Sequence, residues 1–176
     1  MNSSYSFPML PSQVIITSGQ GMGKSPLNAF DSALLDAKVG DLNLLKTSSI
    51  VPPGAEVIAL REHPEALALP AGSIVPAVYT CFVDDAAGEV ISACLAVGLP
   101  SCESTGVIFE YCGRGHLSEI RPLVRSMAAE ALKSRGKSSF QVLYAESELT
   151  VPDRSYGCVV ALAILLDPSA GQDNGT

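Results

Sequence analysis

Two stretches of this chain, residues 26–38 and 117–133, space their apolar side chains at helical intervals, while the other apolar runs are short and β-rich or bounded by proline and glycine. In the first, Leu27, Phe30, Leu34 and Leu35 follow a Ser25-Pro26 start, where serine caps free N–H groups and proline loses no needed donor. Gly40 is the expected stop. The second carries Ile120, Leu123, Val124, Met127 and Leu132 on one side, with Ser118 as candidate cap and Arg135-Gly136-Lys137 as its end. Strand-like runs at 13–17, 42–47, 55–60, 74–83, 106–111, 140–145 and 158–166 outnumber these helices, and 89–99 reads equally as a strand or a buried helix. Few helices placed irregularly among many strands predict a layered α+β sandwich rather than a regular doubly wound sheet.

At 176 residues the chain is about one domain, and 47% hydrophobic against 16% charged residues suits a buried core. Eleven Lys+Arg against 18 Asp+Glu give a net charge of -7, which leaves no basic stripe for a nucleic-acid backbone. Five cysteines, an odd number without a CxxC pair, read as reduced and intracellular. The N-terminal MNSSYSFPMLPSQ has neither a basic nor a long apolar segment of the signal type, and no apolar run is long enough to span a membrane. A cytoplasmic protein is expected, with a charged loop around His63 at 61–72 and a polar, mobile tail at 168–176.

Two motifs tempt and fail. SGQGMGKS, between a strand and a helix, looks like a phosphate loop, but Gly19 and Gly23 enclose three residues where that loop needs four. A dinucleotide fingerprint would need glycine at Lys24. Residues 18–24 are therefore expected to be a flexible loop that lets the backbone pass close to a neighbour or ligand. In EYCGRGH, Cys112 and His116 could pair as nucleophile and base or as metal ligands. No cysteine pair has zinc spacing, so a buried strand cysteine beside an exposed loop histidine, with no metal, is the expectation.

LLKTSSIVPP poses a sharper question, because Ser48 and Ser49 stand together before Pro52-Pro53-Gly54, a segment that must turn or run along a sheet edge. One reading is a turn closed by serine side-chain hydrogen bonds. The other is self-cleavage. The Ser49 hydroxyl attacks the Ser48 carbonyl, the acyl group moves from nitrogen to oxygen, β-elimination leaves dehydroalanine at position 49, and hydrolysis gives a pyruvoyl group. Such chemistry needs a constrained chain and a donor for the tetrahedral oxyanion, for which Asn43 is a candidate.

The run PLNAFDSALLDAKVGDLNLLKTSSIVPPGAEV, from its PLNAFD helix (26–31) through the segment 40–53, together with VIFEYCG (107–113), resembles the pyruvoyl-dependent arginine decarboxylase family in residues, order and spacing. Similarity can be followed from about Val14 to Leu166. The resemblance implies a four-layer αββα sandwich that cuts itself into a small β chain (1–48) and a larger α chain (49–176), assembled as a trimer or a dimer of trimers with sites between subunits. It implies a covalent pyruvoyl cofactor derived from Ser49 and no external one. L-arginine would be converted to agmatine and CO2 through a Schiff base that accepts the released electrons. Asn43 falls where the family places an asparagine that assists cleavage, and Glu110 on its proton-donating glutamate. Asp31 falls on the carboxylate that meets the guanidinium, Leu34, Gly40 and Leu42 on pocket positions, and Ile108 on a contact made across a subunit boundary. The sequence departs from the pattern mainly at Thr47, at 62–71 and in SCEST.

Each role has a physical reason and a competitor. Glu110 must be neutral to donate a proton, so Ile108 and Phe109 are expected to raise its pKa, whereas plain strand alternation would leave it on a solvated face. Asp31 can pair bidentately with a guanidinium, and is otherwise an ordinary exposed helix acid. Two further readings stand beside the family one: a pyruvoyl enzyme for another amino acid, and an uncleaved, non-catalytic oligomer that binds arginine or agmatine.

Overall fold

Among residues 9–167, which the computed structural model describes, the order is β1 (Gln13–Gly23), α1 (Pro26–Asp36), β2 (Asn43–Lys46), β3 (Ile50–Val51) and β4 (Glu56–Ala59). A 3-10 turn (Pro64–Leu67), β5 (Ile74–Asp84), β6 (Val90–Pro100), β7 (Gly106–Arg114), α2 (Leu117–Ser134), β8 (Phe140–Thr150) and β9 (Tyr156–Leu166) follow. One sheet has the order β2-β5-β9-β1-β4 and the other β3-β7-β6-β8. The tail expected at 168–176 lies outside the described residues.

The two sheets face each other across Val14, Val78, Leu95, Val97, Ile108, Val159 and Ala161. On the outer face of the first sheet, Ala29 and Ala33 of α1 and its C-cap Ala37 pack on Ile15, Val160, Leu162 and Ile164. On the outer face of the second, Ile120 and Val124 of α2 meet Cys94 and Ala96, and Ala128 and Leu132 meet Val107. The layers are therefore α1, sheet, sheet, α2, the αββα sandwich that the resemblance implies. Strands β6 and β9, covered on both faces, are buried almost end to end. That double burial is why the 89–99 run lacked alternation, and it resolves there as a strand.

The glycine-rich segment is not a loop. β1 continues through Gly23, pairing with β9 from Gln13↔Leu166 to Gly23↔Tyr156. Gly19, Gly21 and Gly23 share one face of that strand, and a Cβ on each would lie 2.3, 2.3 and 2.4 Å from backbone atoms of Ala33 or Ala29 in α1. The glycines let the helix lie directly on the strand, so the close neighbour is α1.

Ser25 caps α1 as expected, its hydroxyl accepting from the Asn28 N–H at 3.2 Å. The helix ends at Ala37, and Lys38 (φ 65°) takes the left-handed turn expected of Gly40. Gly40 is instead overlain by Leu35, 2.6 Å from where its Cβ would stand. At α2 the cap comes from another element: His116 precedes the helix without a capping bond, and Glu148 of β8 accepts from the Leu117 N–H at 2.7 Å, leaving Ser118 inside the helix.

Candidate active site

Strand β2 lies on one edge of the first sheet, parallel to β5, and β3 lies on an edge of the second, antiparallel to β7. Ser48 and Ser49 carry the chain from one sheet to the other. The last bond to the first sheet is Thr47 N–H to the Ala77 carbonyl at 3.0 Å, and the first to the second is Ile108 N–H to the Ser49 carbonyl at 2.9 Å. Ser48 is exposed and Ser49 half-buried. Among the described residues, neither hydroxyl makes a hydrogen bond, so a turn closed by serine side chains is not what forms here. The pair is a short span with unbonded hydroxyls, held by a main-chain hydrogen bond at each end.

Along β7, Val107 and Phe109 face α2, while Ile108 enters the core between the sheets. Alternation puts Glu110 on the face of Ile108, about 7 Å further along the strand. It is half-buried, and this burial raises its carboxyl above the ordinary range, with the positive charge of Lys46 opposing the rise. Ile108 thus belongs to the surroundings of Glu110, and Phe109 does not. Lys46 lies over the Tyr79 ring with its Nζ 4.9 Å from the centroid. Sequence reading passed over Lys46, although it is the sole charge in LLKTSSIVPP. It also gave no role to Thr47, whose Oγ1 is shut from solvent without a hydrogen-bond partner.

The other predicted residues are dispersed. Asn43 sits at the start of β2, where its Nδ2 donates to the Gly72 carbonyl at 2.8 Å. Four residues of extended chain, roughly 13 Å, separate it from Thr47, so within one chain its amide does not reach the Ser48 carbonyl. Asp31 is exposed on α1, and Leu34 and Leu42 pack with Phe30 and Leu44 on the outer face of the first sheet. One chain therefore gathers Ser49, Ile108 and Glu110 at the inter-sheet edge and Asp31, Leu34, Gly40 and Leu42 beyond the first sheet. It does not bring Asp31 to Glu110.

A cleft of about 800 Å³ contains none of these residues. It is lined by Arg61, Arg121, Tyr144 and Glu146 near the other sheet edges, and Arg121 is bound to Glu146. The Cys112 Sγ accepts from the Thr80 hydroxyl at 2.9 Å and donates to the Cys81 carbonyl at 3.2 Å. His116 Nδ1 lies 3.3 Å from Glu148 Oε1, so the two do not form a nucleophile and base. No cluster of three potential metal ligands occurs among the described residues.

A ketone at position 49 fits this geometry. Ser49 has an unbound hydroxyl free to attack the Ser48 carbonyl, after which elimination and hydrolysis would leave the ketone on its Cα; the Ile108 N–H already holds the adjacent carbonyl, and burial raises the pKa of the Glu110 carboxyl.

Comparison with known proteins agrees. The family profile for pyruvoyl-dependent arginine decarboxylase matches residues 13–170. A protein of that name from Methanocaldococcus jannaschii is 37% identical over 94% of this chain and 96% of its own length. Relatives with the same name from Methanococcus vannielii (38% identical, 93% of this chain, 96% of the relative) and Pyrococcus abyssi (36%, 88% and 95%) are similar throughout. The sandwich, the serine span between its sheets and this end-to-end similarity agree, and the chain belongs to the pyruvoyl-dependent arginine decarboxylase family.

Proposed function

We propose that the chain cuts itself between Ser48 and Ser49 into fragments 1–48 and 49–176 and then converts L-arginine, with a proton, to agmatine and CO2. The observation that carries this reading is the Ile108–Ser49 bond, which ties the cofactor-forming residue to the strand that bears Glu110. Family membership supplies the reaction class, since the relatives carry that activity in their names.

A pyruvoyl group at position 49 would supply the electron sink for the bond pair released as CO2 departs. The chain's own residues do the rest. The Ile108 N–H orients the carbonyl beside the ketone, and Glu110 returns a proton to the substrate α-carbon, for which its raised pKa keeps a share of the carboxyl neutral. Asp31 receives the guanidinium as a bidentate partner, with Leu34, Gly40 and Leu42 shaping the approach.

Because Asp31 and Glu110 lie on opposite sides of the first sheet, the complete site forms between copies, in a trimer of cleaved protomers or a dimer of trimers. Exposed apolar side chains support such contacts: Leu45 and Ile50 lie on either side of the serine span, Ile74 (74% exposed) stands beside Asn43 at the start of β2, and Leu27 (75%) and Leu35 flank Asp31 on α1. No helix among the described residues is long and apolar enough to cross a membrane. All five cysteines are unpaired, which suits a reducing cytoplasm.

Intact-mass analysis and a substrate panel test the reading together. Fragments 1–48 and 49–176, the larger bearing a ketone instead of an amine, and CO2 release from arginine ahead of ornithine, lysine, histidine and aspartate are expected. An intact chain that binds agmatine without releasing CO2 would replace this reading with the non-catalytic one. Asp31→Ala should reduce the preference for arginine, and unchanged selectivity would remove Asp31 from the site.

A further inference from the structure

We propose that the Thr47 hydroxyl donates the hydrogen bond that holds the oxyanion formed on the Ser48 carbonyl during self-cleavage. This inference rests on the cleavage reading above and adds a residue to it.

Three observations converge on Thr47. Its N–H continues the β2 ladder to the Ala77 carbonyl, so the alternation of that strand still applies to it. Leu44 packs on the outer face, and Lys46 lies over Tyr79 on that face, so Thr47 turns towards the space between the sheets. There its Oγ1 is closed to solvent and has no partner, and it is the single side-chain polar atom in that condition among the described residues. A buried hydroxyl is ordinarily bonded, and an exception calls for a functional or structural reason.

The position supplies one. Thr47 immediately precedes Ser48, the residue of the scissile carbonyl, whereas within the same chain the Asn43 amide is bonded to Gly72 and lies roughly 13 Å of extended strand away. The Ile108 N–H is taken by the Ser49 carbonyl, one peptide beyond the reacting one. In the step itself, a bond forms from Ser49 Oγ to the Ser48 carbonyl carbon and the C–N bond to Ser49 breaks. The hydroxyl proton passes to the departing amine. Atoms balance without a co-reactant, and Thr47 lends a hydrogen bond while keeping its own proton.

Thr47→Val removes the hydroxyl at nearly constant shape, which separates this role from a packing role. Full-length chain made by cell-free synthesis would be followed for scission at Ser48–Ser49 by mass spectrometry, with Tm measured on Ser49→Ala backgrounds to keep every chain whole. Scission slowed on the order of 10²-fold in Thr47→Val, near-parental scission in Thr47→Ser, and an equal or higher Tm for Thr47→Val are expected. Thr47→Ala, which deletes the same hydroxyl without filling its place, should show a similar delay. A Thr47→Val chain that splits at the parental rate overturns the role of the hydroxyl alone. A parental chain that never splits overturns the cleavage reading and this inference with it.

Discussion

Ile108 donates its main-chain N–H to the carbonyl of Ser49 at 2.9 Å, and Glu110 stands two residues on along the same strand face. The proposed cofactor-forming residue is thus hydrogen-bonded to the strand that carries the proposed proton donor. Cleavage and turnover should therefore separate by mutation. Ser49→Ala should leave a whole, inactive chain, while Glu110→Gln should still be cleaved but lose on the order of 10²–10⁴ in kcat, as loss of a general acid does. Fragment masses and CO2 release read the two effects separately.

The pH profile should expose the balance of burial against Lys46. Burial raises the pKa of Glu110 and the Lys46 charge lowers it, so turnover should fall as pH rises through the folded-state value. Lys46→Met should move that alkaline limb to higher pH. Stability follows the same sign, because a carboxyl whose folded pKa lies above its unfolded one stabilises fully below the unfolded value and loses that contribution as pH rises through the folded one. Glu110→Gln should consequently gain Tm relative to the parent at neutral pH and lose the advantage in acid.

Asp84 has the opposite sign. Its nearly buried carboxylate accepts from Arg114 Nε at 2.6 Å and Nη2 at 3.1 Å, as well as from the N–H groups of Asp85 and Ala86. The Arg114 side chain is the leading cause of a lowered pKa. The stabilisation is present above the unfolded pKa and is lost as pH falls through the folded one. Arg114→Ala should lower Tm at neutral pH, and the difference from the parent should narrow in acid melts.

The contact between β1 and α1 should be intolerant of a single methyl. A Cβ on Gly21 would lie 2.3 Å from Ala33 N, 2.6 Å from Ser32 C and 2.7 Å from Ala29 O, all backbone atoms. Gly21→Ala must push the helix off the strand, and denaturant unfolding should show a loss of about 3 kcal/mol or more.

Thiol labelling should be selective. The Ser104 hydroxyl and nearby Lys137 lower the pKa of exposed Cys102, whereas burial pushes Cys94 and Cys158 up to about 12. Limited alkylation followed by peptide mapping should find Cys102 modified first, with Cys94 and Cys158 unmodified until the chain unfolds.

Local signals in the sequence determined the two helices, the Ser25 cap, the α+β layering and the serine pair before its prolines, because each depends on neighbours a few residues apart. The motif resemblance carried the family and the chemistry. The glycine segment was misread as a loop because glycine alone signals freedom, and only the packed α1 shows that the missing side chains make room for a helix. Likewise, the cap on α2 comes from Glu148, 31 residues away from Leu117 and invisible to any local rule. Tertiary structure alone decided that the serines span two sheets, that Glu110 is half-buried near the Lys46 charge, and that Thr47 buries an unpartnered hydroxyl. It also set Asp31 on the far side of the first sheet from Glu110, because α1 must bury its alanines on the outer face while Ile108 fills the core between the sheets.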